Sequence, residues 1–312
     1  MDQAKISLAG MSWAYFRRDV KRVREMIDYS VASRHDMPNV LIEIADVGIL
    51  FVRRHYLRGK FGQQFMTEHE KIQEMVRQKD ELPLTLERPK SALLIIDVQR
   101  HFTKPDHPFG RVFDKLMLGA ADGYFKRVKA TVLPNIKRLQ ECFRSQPLPV
   151  IFCGGGGYLA DGRDLPEFMR DWDKVGLEIL GCRMQALVGE PGWDFDDEIA
   201  PLTGEMVLNK SCTGALSSTK LDQILHNMGV NSLVVCGLTT AVCVSQTARE
   251  FVDRGFRVLL VGDACTELSE EMHRSALFTF SYCYGRVKTT EETIRYFASA
   301  PTTGPVKKFV LG

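Results

Sequence analysis

Two spacings of apolar residues divide the chain. Up to residue 82 they recur every three or four positions: Trp13, Phe16, Val20, Val23, Ile27 and Val31, then Leu41, Ile44, Val47 and Phe51, then Phe65, Ile72 and Val76. That is the period of one helix face, and Pro38, after the first break, suits the opening turn of a second helix. Residues 1–82 are therefore expected to form an all-helical N-terminal extension, with Pro83 and Pro89 marking a linker over 83–90. From residue 91 the pattern changes to short continuous apolar runs, Ser91–Asp97, Leu148–Cys153, Met206–Lys210, Ser232–Leu238 and Phe256–Asp263, with a short strand at Arg286–Thr289. Between them lie amphipathic segments at Ala121–Phe143, from Val244 to Arg254, from Ser269 through Phe280, and at Glu291–Ser299. Strands buried on both faces and returned by helices predict a parallel sheet between two helix layers. The fold class is α/β, three layers α/β/α, over residues 91–300, with 301–312 as a C-terminal tail.

Composition narrows the partners more than the fold. The chain has 312 residues, 45% hydrophobic and 26% charged, enough for a large core. A formal charge of +2, with both signs interspersed, gives no reason to expect nucleic acid or a membrane surface. Residues 1–20 lack the apolar core of a targeting signal and no apolar run approaches membrane-spanning length, so a cytoplasmic protein is expected. The eight cysteines, at 142, 153, 182, 212, 236, 243, 265 and 283, lie mostly inside apolar runs with no C-x-x-C pair. They suggest reduced core thiols, neither a disulfide framework nor a zinc site.

Ligands of parallel sheets sit beyond the carboxyl ends of the strands. The polar residues that end the apolar runs are Asp97, Lys210 and, after the Gly237-Leu-Thr-Thr corner, Cys243. Val244, Ala248, Phe251 and Val252 fall on one helix face, which places Cys243 in a first helical turn, where open N–H groups and the helix dipole favour a thiolate. Asp97 can then move the thiol proton while Lys210 holds and tunes Asp97. The competing possibilities are an inert buried cysteine and an Asp97–Lys210 ion pair that only ends two strands.

The motifs Leu-Leu-Ile-Ile-Asp97-Val-Gln99 with Phe102, Val-Leu-Asn-Lys210, and Gly237-Leu-Thr-Thr-Ala-Val-Cys243-Val with Thr247-Ala248 resemble the isochorismatase-like cysteine hydrolases. That family includes nicotinamidases, N-carbamoylsarcosine amidase, ureidoacrylate amidohydrolase and biuret hydrolase, and the likeness spans roughly residues 88–298. It implies a catalytic triad of Asp97, Lys210 and Cys243. It further implies a cis peptide at Leu238-Thr239 and an oxyanion hole made by the N–H groups of Thr239 and Cys243. Gln99, Phe102, Gly155, Tyr158 and Leu216 are the expected substrate-pocket residues.

Three departures refine the resemblance. The second strand runs into Cys153-Gly-Gly-Gly-Gly157-Tyr158, and no histidine lies between His107 and His226, so the metal-binding Asp-x-His of nicotinamidases is missing. No metal or cofactor is expected. Members that cleave a vinyl ether lack the cysteine this chain has, which favours an amide-type C–N bond. Gly214-Ala215-Leu216 replaces the usual Ser-Ala-Phe, so one pocket wall differs. The glycines also satisfy a loose dinucleotide pattern, but Asp161-Gly-Arg-Asp-Leu-Pro166 follows where a helix should open. They are expected to let the backbone approach substrate or a neighbouring subunit. The reading is a metal-independent cysteine amidohydrolase acting on a small amide, ureide or carbamoyl compound, as a homo-oligomer, of the ureidoacrylate, biuret and carbamoylsarcosine branch. The alternatives are a nicotinamidase-type hydrolase and a non-catalytic partner-binding protein on a hydrolase scaffold.

Overall fold

The computed structural model describes residues 67–298. Contacts divide the chain between Lys71 and Ile72, and the second unit is the one described here. The expected helices over 13–51 and the tail 301–312 lie outside the described residues.

Helix α1 (Glu68–Asp80) ends with the Lys79 ammonium on the carbonyls of Ser281 and Gly285, the latter at 2.9 Å. The proline-flanked stretch after it is fixed to the sheet. Leu84 and Leu86 pack on the core, Glu87 N–H donates to Ser232 Oγ at 3.0 Å, and the Tyr296 hydroxyl donates to the Leu86 carbonyl at 2.8 Å. Arg88 lies 4.5 Å over the Tyr296 ring.

The sheet then alternates with helices. Strand β1 (Ser91–Ile96) is followed by α2 (Arg100–Thr103), α3 (Pro108–Leu116), α4 (Asp122–Arg127) and α5 (Leu133–Arg144). A π-helical turn at Val128–Val132 joins α4 to α5, so the expected helix over 121–143 is one helical run with a wide turn inside it. Next come β2 (Val150–Gly155), α6 (Glu167–Leu180), β3 (Met206–Lys210), α7 (Ala215–Ser218), α8 (Leu221–Asn227) and β4 (Ser232–Leu238). A second π-helical turn, Thr240–Val244, leads into α9 (Ser245–Asp253). The chain closes with β5 (Arg257–Thr266), α10 (Glu270–Cys283), β6 (Arg286–Lys288) and α11 (Thr290–Ala298).

The six strands are parallel in the order β3-β2-β1-β4-β5-β6. All residues of β1 and β4 are buried. Because successive strand side chains point to opposite faces, Leu93 and Ile95 must meet one layer and Leu94 and Ile96 the other, so helices cover both faces. Burying each such side chain is worth about 1.5–3 kcal/mol.

The topology positions the site. The chain winds outward from β1 to β3, then returns to the other side of β1 as β4, which opens a crevice beyond the carboxyl ends of β1 and β4. Asp97 follows β1 and Thr239 follows β4, with Ile96 and Gly237 paired across the crevice floor. Their approach is so close that a Cβ on Gly237 would collide with the Ile96 carbonyl oxygen, and Gly237 adopts φ +129°. Gly237→Ala should therefore lower stability by about 2 kcal/mol or more, from strain and from a backbone clash that no side-chain rotation relieves. Chemical denaturation of the two proteins measures it; an unchanged midpoint would contradict the account.

Candidate active site

Lys210 defines the site by the distance it has to cross. It ends β3, two strands from β1, and its side chain passes over the end of β2 to reach Asp97. β2 ends in glycine there: Gly155 pairs with Lys210, and a Cβ on Gly155 would stand 3.2 Å from Lys210 Nζ and 3.3 Å from Asp97 Oδ1. The neighbouring glycines serve the same end, since a Cβ on Gly154 would meet the Gln99 amide at 2.9 Å and one on Gly156 the Trp193 ring at 2.7 Å. The glycine run thus makes room for the site's own side chains, where a substrate or neighbouring subunit was expected.

The sequence-predicted Asp97, Lys210 and Cys243 are brought together. Lys210 Nζ lies 2.8 Å from Asp97 Oδ2, 3.3 Å from Cys243 Sγ and 3.0 Å from the Cys212 carbonyl, which accepts from it. Asp97 and Lys210 are each 1% exposed and Cys243 is 7% exposed. Asp97 is the one non-glycine among the described residues with positive φ, 51°, a region aspartate tolerates better than most. It pairs with the Lys210 ammonium, and neither of its buried carboxylate oxygens has a regular hydrogen-bond partner.

Burial dominates the electrostatics. It raises Asp97 above the usual carboxylate range despite the opposing Lys210 charge. Burial, then the Asp97 charge, also raises the Cys243 thiol, with Lys210 opposing. Lys210 stays protonated, because its own desolvation is outweighed, chiefly by the Asp97 charge. The resting thiol is accordingly neutral. Burial thus works against the thiolate that the helix terminus was expected to favour.

Cys243 lies within the π-helical turn just after the corner, as the periodicity suggested, and the Leu238-Thr239 peptide is cis. The Thr239 carbonyl accepts from Val244 N–H at 3.2 Å. Two neighbours hold the turn. Ala241 N–H donates to Glu267 Oε2 at 2.9 Å, and Thr240 Oγ1 is 2.7 Å from His273 Nδ1. Arg127 Nη2 contacts His273 Nε2 at 3.1 Å and has only protons to give, so Nε2 accepts and Nδ1 donates to Thr240. Burial and Arg127 lower His273 to about 4, consistent with a neutral ring.

Helix α9 is tied to the Lys210 segment in turn: Thr247 Oγ1 accepts from Ala215 N–H at 3.1 Å, and Glu250 accepts from Leu216 N–H at 2.9 Å and from the Ser217 hydroxyl.

The expected pocket residues are placed unevenly. Gln99 is fully buried, its amide accepting from Gly155 N–H at 2.8 Å and donating to the carbonyls of Gly155 and Trp193 at 3.1 and 2.8 Å. Both its donors are engaged by backbone. Phe102 packs edge-on to Phe109, and its carbonyl accepts from the Tyr124 hydroxyl at 3.1 Å. Tyr158 is exposed on a turn pinned by Asp164, and Leu216 packs partly buried against the core. Trp193 Nε1 donates to Asn209 Oδ1 at 2.8 Å, which braces the residue before Lys210.

Sequence reasoning missed Tyr124 and Glu267. The apolar run suggested that β5 ends at Asp263, but the strand continues to Thr266, so the group at its carboxyl end is Glu267. Asp263 instead accepts from Thr290 N–H at 2.7 Å and caps α11. The continuing apolar Ala264-Cys265 was the available signal. Among the described residues, no group of three His, Cys, Asp or Glu is placed to hold a metal ion, and no helix is long and apolar enough to cross a membrane.

Residues 91–292 match the family model described as Isochorismatase domain. The chain is 25% identical over 213 residues to N-carbamoylsarcosine amidase of Arthrobacter sp, covering 68% of this chain and 73% of that protein. It is 26% identical over 230 residues to ureidoacrylate amidohydrolase of Stutzerimonas stutzeri, covering 70% and 87%. Among solved structures, a cysteine hydrolase from Pseudomonas syringae pv. phaseolicola has the same fold, with a TM-score of 0.56 at 23% identity over 69% of this chain and 96% of that one.

One buried histidine beside the site gives a pH test. His101 Nδ1 donates to the Gly192 carbonyl at 2.9 Å and Nε2 is buried without a partner, so protonation would strand a charge; burial lowers it to about 4. The unfolded chain takes up this proton near pH 6.5, so stability complete above that value should fall as pH drops toward 4, by roughly 3 kcal/mol for a shift of this size. His101→Asn, which keeps a donor for Gly192, should flatten that segment of a stability-versus-pH curve. An equally steep curve in the variant would contradict the assignment.

Proposed function

The chain belongs to the isochorismatase family, and from that premise we propose that it is a cysteine amidohydrolase that cleaves a C–N bond of a small amide, ureide or carbamoyl compound. The observation that carries the reading is Lys210 Nζ standing within 2.8 Å of Asp97 Oδ2 and 3.3 Å of Cys243 Sγ at once. A proton passing from the thiol to Asp97 moves one negative charge between two atoms that both touch the same cation. The number of buried charges does not change in that step. A buried thiol with a high resting value can therefore act as a nucleophile without a stable thiolate before substrate arrives.

The steps follow from this geometry. As Asp97 takes the Cys243 proton, Sγ bonds to the substrate carbonyl carbon, and the N–H groups of Thr239 and Cys243 receive the oxyanion. Good donors at such a position are worth about 3–4 kcal/mol each. Asp97 gives its proton to the leaving nitrogen, the C–N bond breaks, and ammonia or an amine departs from a thioester on Cys243. Water, losing a proton to Asp97, attacks the thioester carbonyl; the C–S bond breaks and Sγ recovers its proton. Lys210 orients Asp97 throughout. The names of the two relatives above, an amidase and an amidohydrolase, support the same bond type.

Screening small amides, ureides and carbamates for ammonia release, with Cys243→Ala as the blank, tests the activity. Asp97→Asn, Lys210→Ala and Cys243→Ala should each lower kcat by about a hundredfold or more, and their effects should not add, because they act as one unit. A Lys210→Ala protein that keeps more than roughly a tenth of the rate, a change of only ~1.4 kcal/mol, would remove Lys210 from the mechanism. Acid quench during turnover should leave the acyl group on the peptide that contains Cys243; its appearance on Cys153 or Cys212 would move the nucleophile.

A further inference from the structure

We propose that the site around Cys243 selects amides that bear no carboxylate: uncharged or ammonium-bearing amides and ureides suit it, and anionic ones are turned away. The inference deepens the amidohydrolase reading and rests on it for where the substrate carbonyl lies. Its ground is Glu267. The β4–β5 register pairs Leu238 with Thr266, which sets Glu267 beside Thr239, the residue next to the oxyanion position. Glu267 is 6% exposed and turns back into the nucleophile turn, Oε2 accepting from Ala241 N–H at 2.9 Å and Oε1 from Leu268 N–H at 3.0 Å.

The open end of a helical turn is where a substrate carboxylate would otherwise settle, because its N–H groups and dipole favour an anion. Here the protein's own carboxylate already occupies Ala241 N–H. Glu267 forms no ion pair among the described residues, while the Asp97 and Lys210 charges cancel each other. Tyr124, whose hydroxyl donates to the Phe102 carbonyl, is raised well above its ordinary value by burial, then by the Glu267 and Asp97 charges.

The two cations that these contacts place at the site are both engaged. Lys210 Nζ is taken up by the Asp97 ion pair at 2.8 Å, Cys243 Sγ at 3.3 Å and the Cys212 carbonyl at 3.0 Å. Arg127, which reaches the turn through His273, is paired with Glu270. An anionic substrate would thus place its charge near Glu267 without a counter-ion. An uncharged amide meets no such repulsion, and the Glu267 lone pairs not used by backbone can accept from a substrate N–H or ammonium.

Charge-matched alkylation tests this without requiring turnover. The protein is treated at low ionic strength with iodoacetamide or iodoacetate, and adducts on the Cys243 peptide are compared with those on the exposed Cys283 as an internal standard. Cys243 should prefer the uncharged reagent over the anionic one by about tenfold more than Cys283 does, and Glu267→Gln, which keeps an oxygen for Ala241 N–H, should bring that excess to within roughly threefold. An excess that is missing, or unmoved by Glu267→Gln, overturns the proposal. In turnover, maleamate and N-carbamoylsarcosine should release ammonia with kcat/KM about tenfold below their methyl esters; faster release from the carboxylates overturns it too. If none of these compounds, nor any in the wider amide screen, releases ammonia while Cys243 keeps its alkylation preference, the amidohydrolase reading fails and the charge selectivity stands.

Discussion

The contact on which the site depends is the ion pair between Lys210 and Asp97, formed across an intervening strand. A lysine with its ammonium buried would ordinarily lose its proton or unfold the region around it, and removing one partner of such a pair leaves the other at a penalty of about 3–5 kcal/mol. The surrounding structure is shaped to keep the pair. β2 gives up its side chains at Gly154, Gly155 and Gly156, so that the Gln99 amide, the Lys210 stem and the Trp193 ring can fill the space above its end. Gln99 and Asn209 then satisfy the backbone these glycines expose, with Asn209 Nδ2 donating to the Gly156 carbonyl at 2.9 Å. A glycine run that satisfies a loose dinucleotide pattern in sequence is, in space, the bed of a buried cation.

The same economy of parts links the three strand ends. Helix α9, which carries Cys243 at its start, also supplies Thr247 and Glu250 to the segment after Lys210. From the other side the end of β5 leads into Glu267, and α10 supplies His273, both to the turn that contains Cys243. Cys243 is therefore held by residues on both flanks of β4, and the fixed tautomer of His273 transmits the Arg127–Glu270 pair to Thr240. Small shifts in any of these would move Sγ relative to the Asp97–Lys210 pair.

Much of this was legible in the sequence because strand ends concentrate it. β3 and β4 fall where the apolar runs place them, and the Asp97, Lys210 and Cys243 positions follow from the run endings together with the resemblance. What was not legible has physical causes. Helix α6 escaped the periodicity because it buries Asp173, paired with Arg183 at 2.7 Å, and Gly176, while Phe168, Trp172 and Leu177 face outward, the inverse of an amphipathic core helix. The end of β5 was misplaced because Asp263 interrupts the apolar run, and only the apolar Ala264-Cys265 beyond it separates a cap for α11, 27 residues on, from a strand-end carboxylate. Tyr124 and Glu267 become site residues only through pairing across the sheet.

The direction of the Cys243 shift bears on how such a site works. Had the helix dipole alone controlled the thiol, a standing thiolate would sit next to Asp97, two anions sharing one cation in a buried setting, and the closer carboxylate would oppose it. The arrangement observed keeps one negative charge for one ammonium and lets the proton choose which atom carries it. In the proposed mechanism activation is coupled to occupancy, because the charge on sulfur would pass to the substrate oxygen as the bond forms, where the backbone donors at the corner would receive it. An additional buried carboxylate, Glu267, is tolerated nearby because backbone N–H groups of the turn and of its own strand end solvate it in place of water.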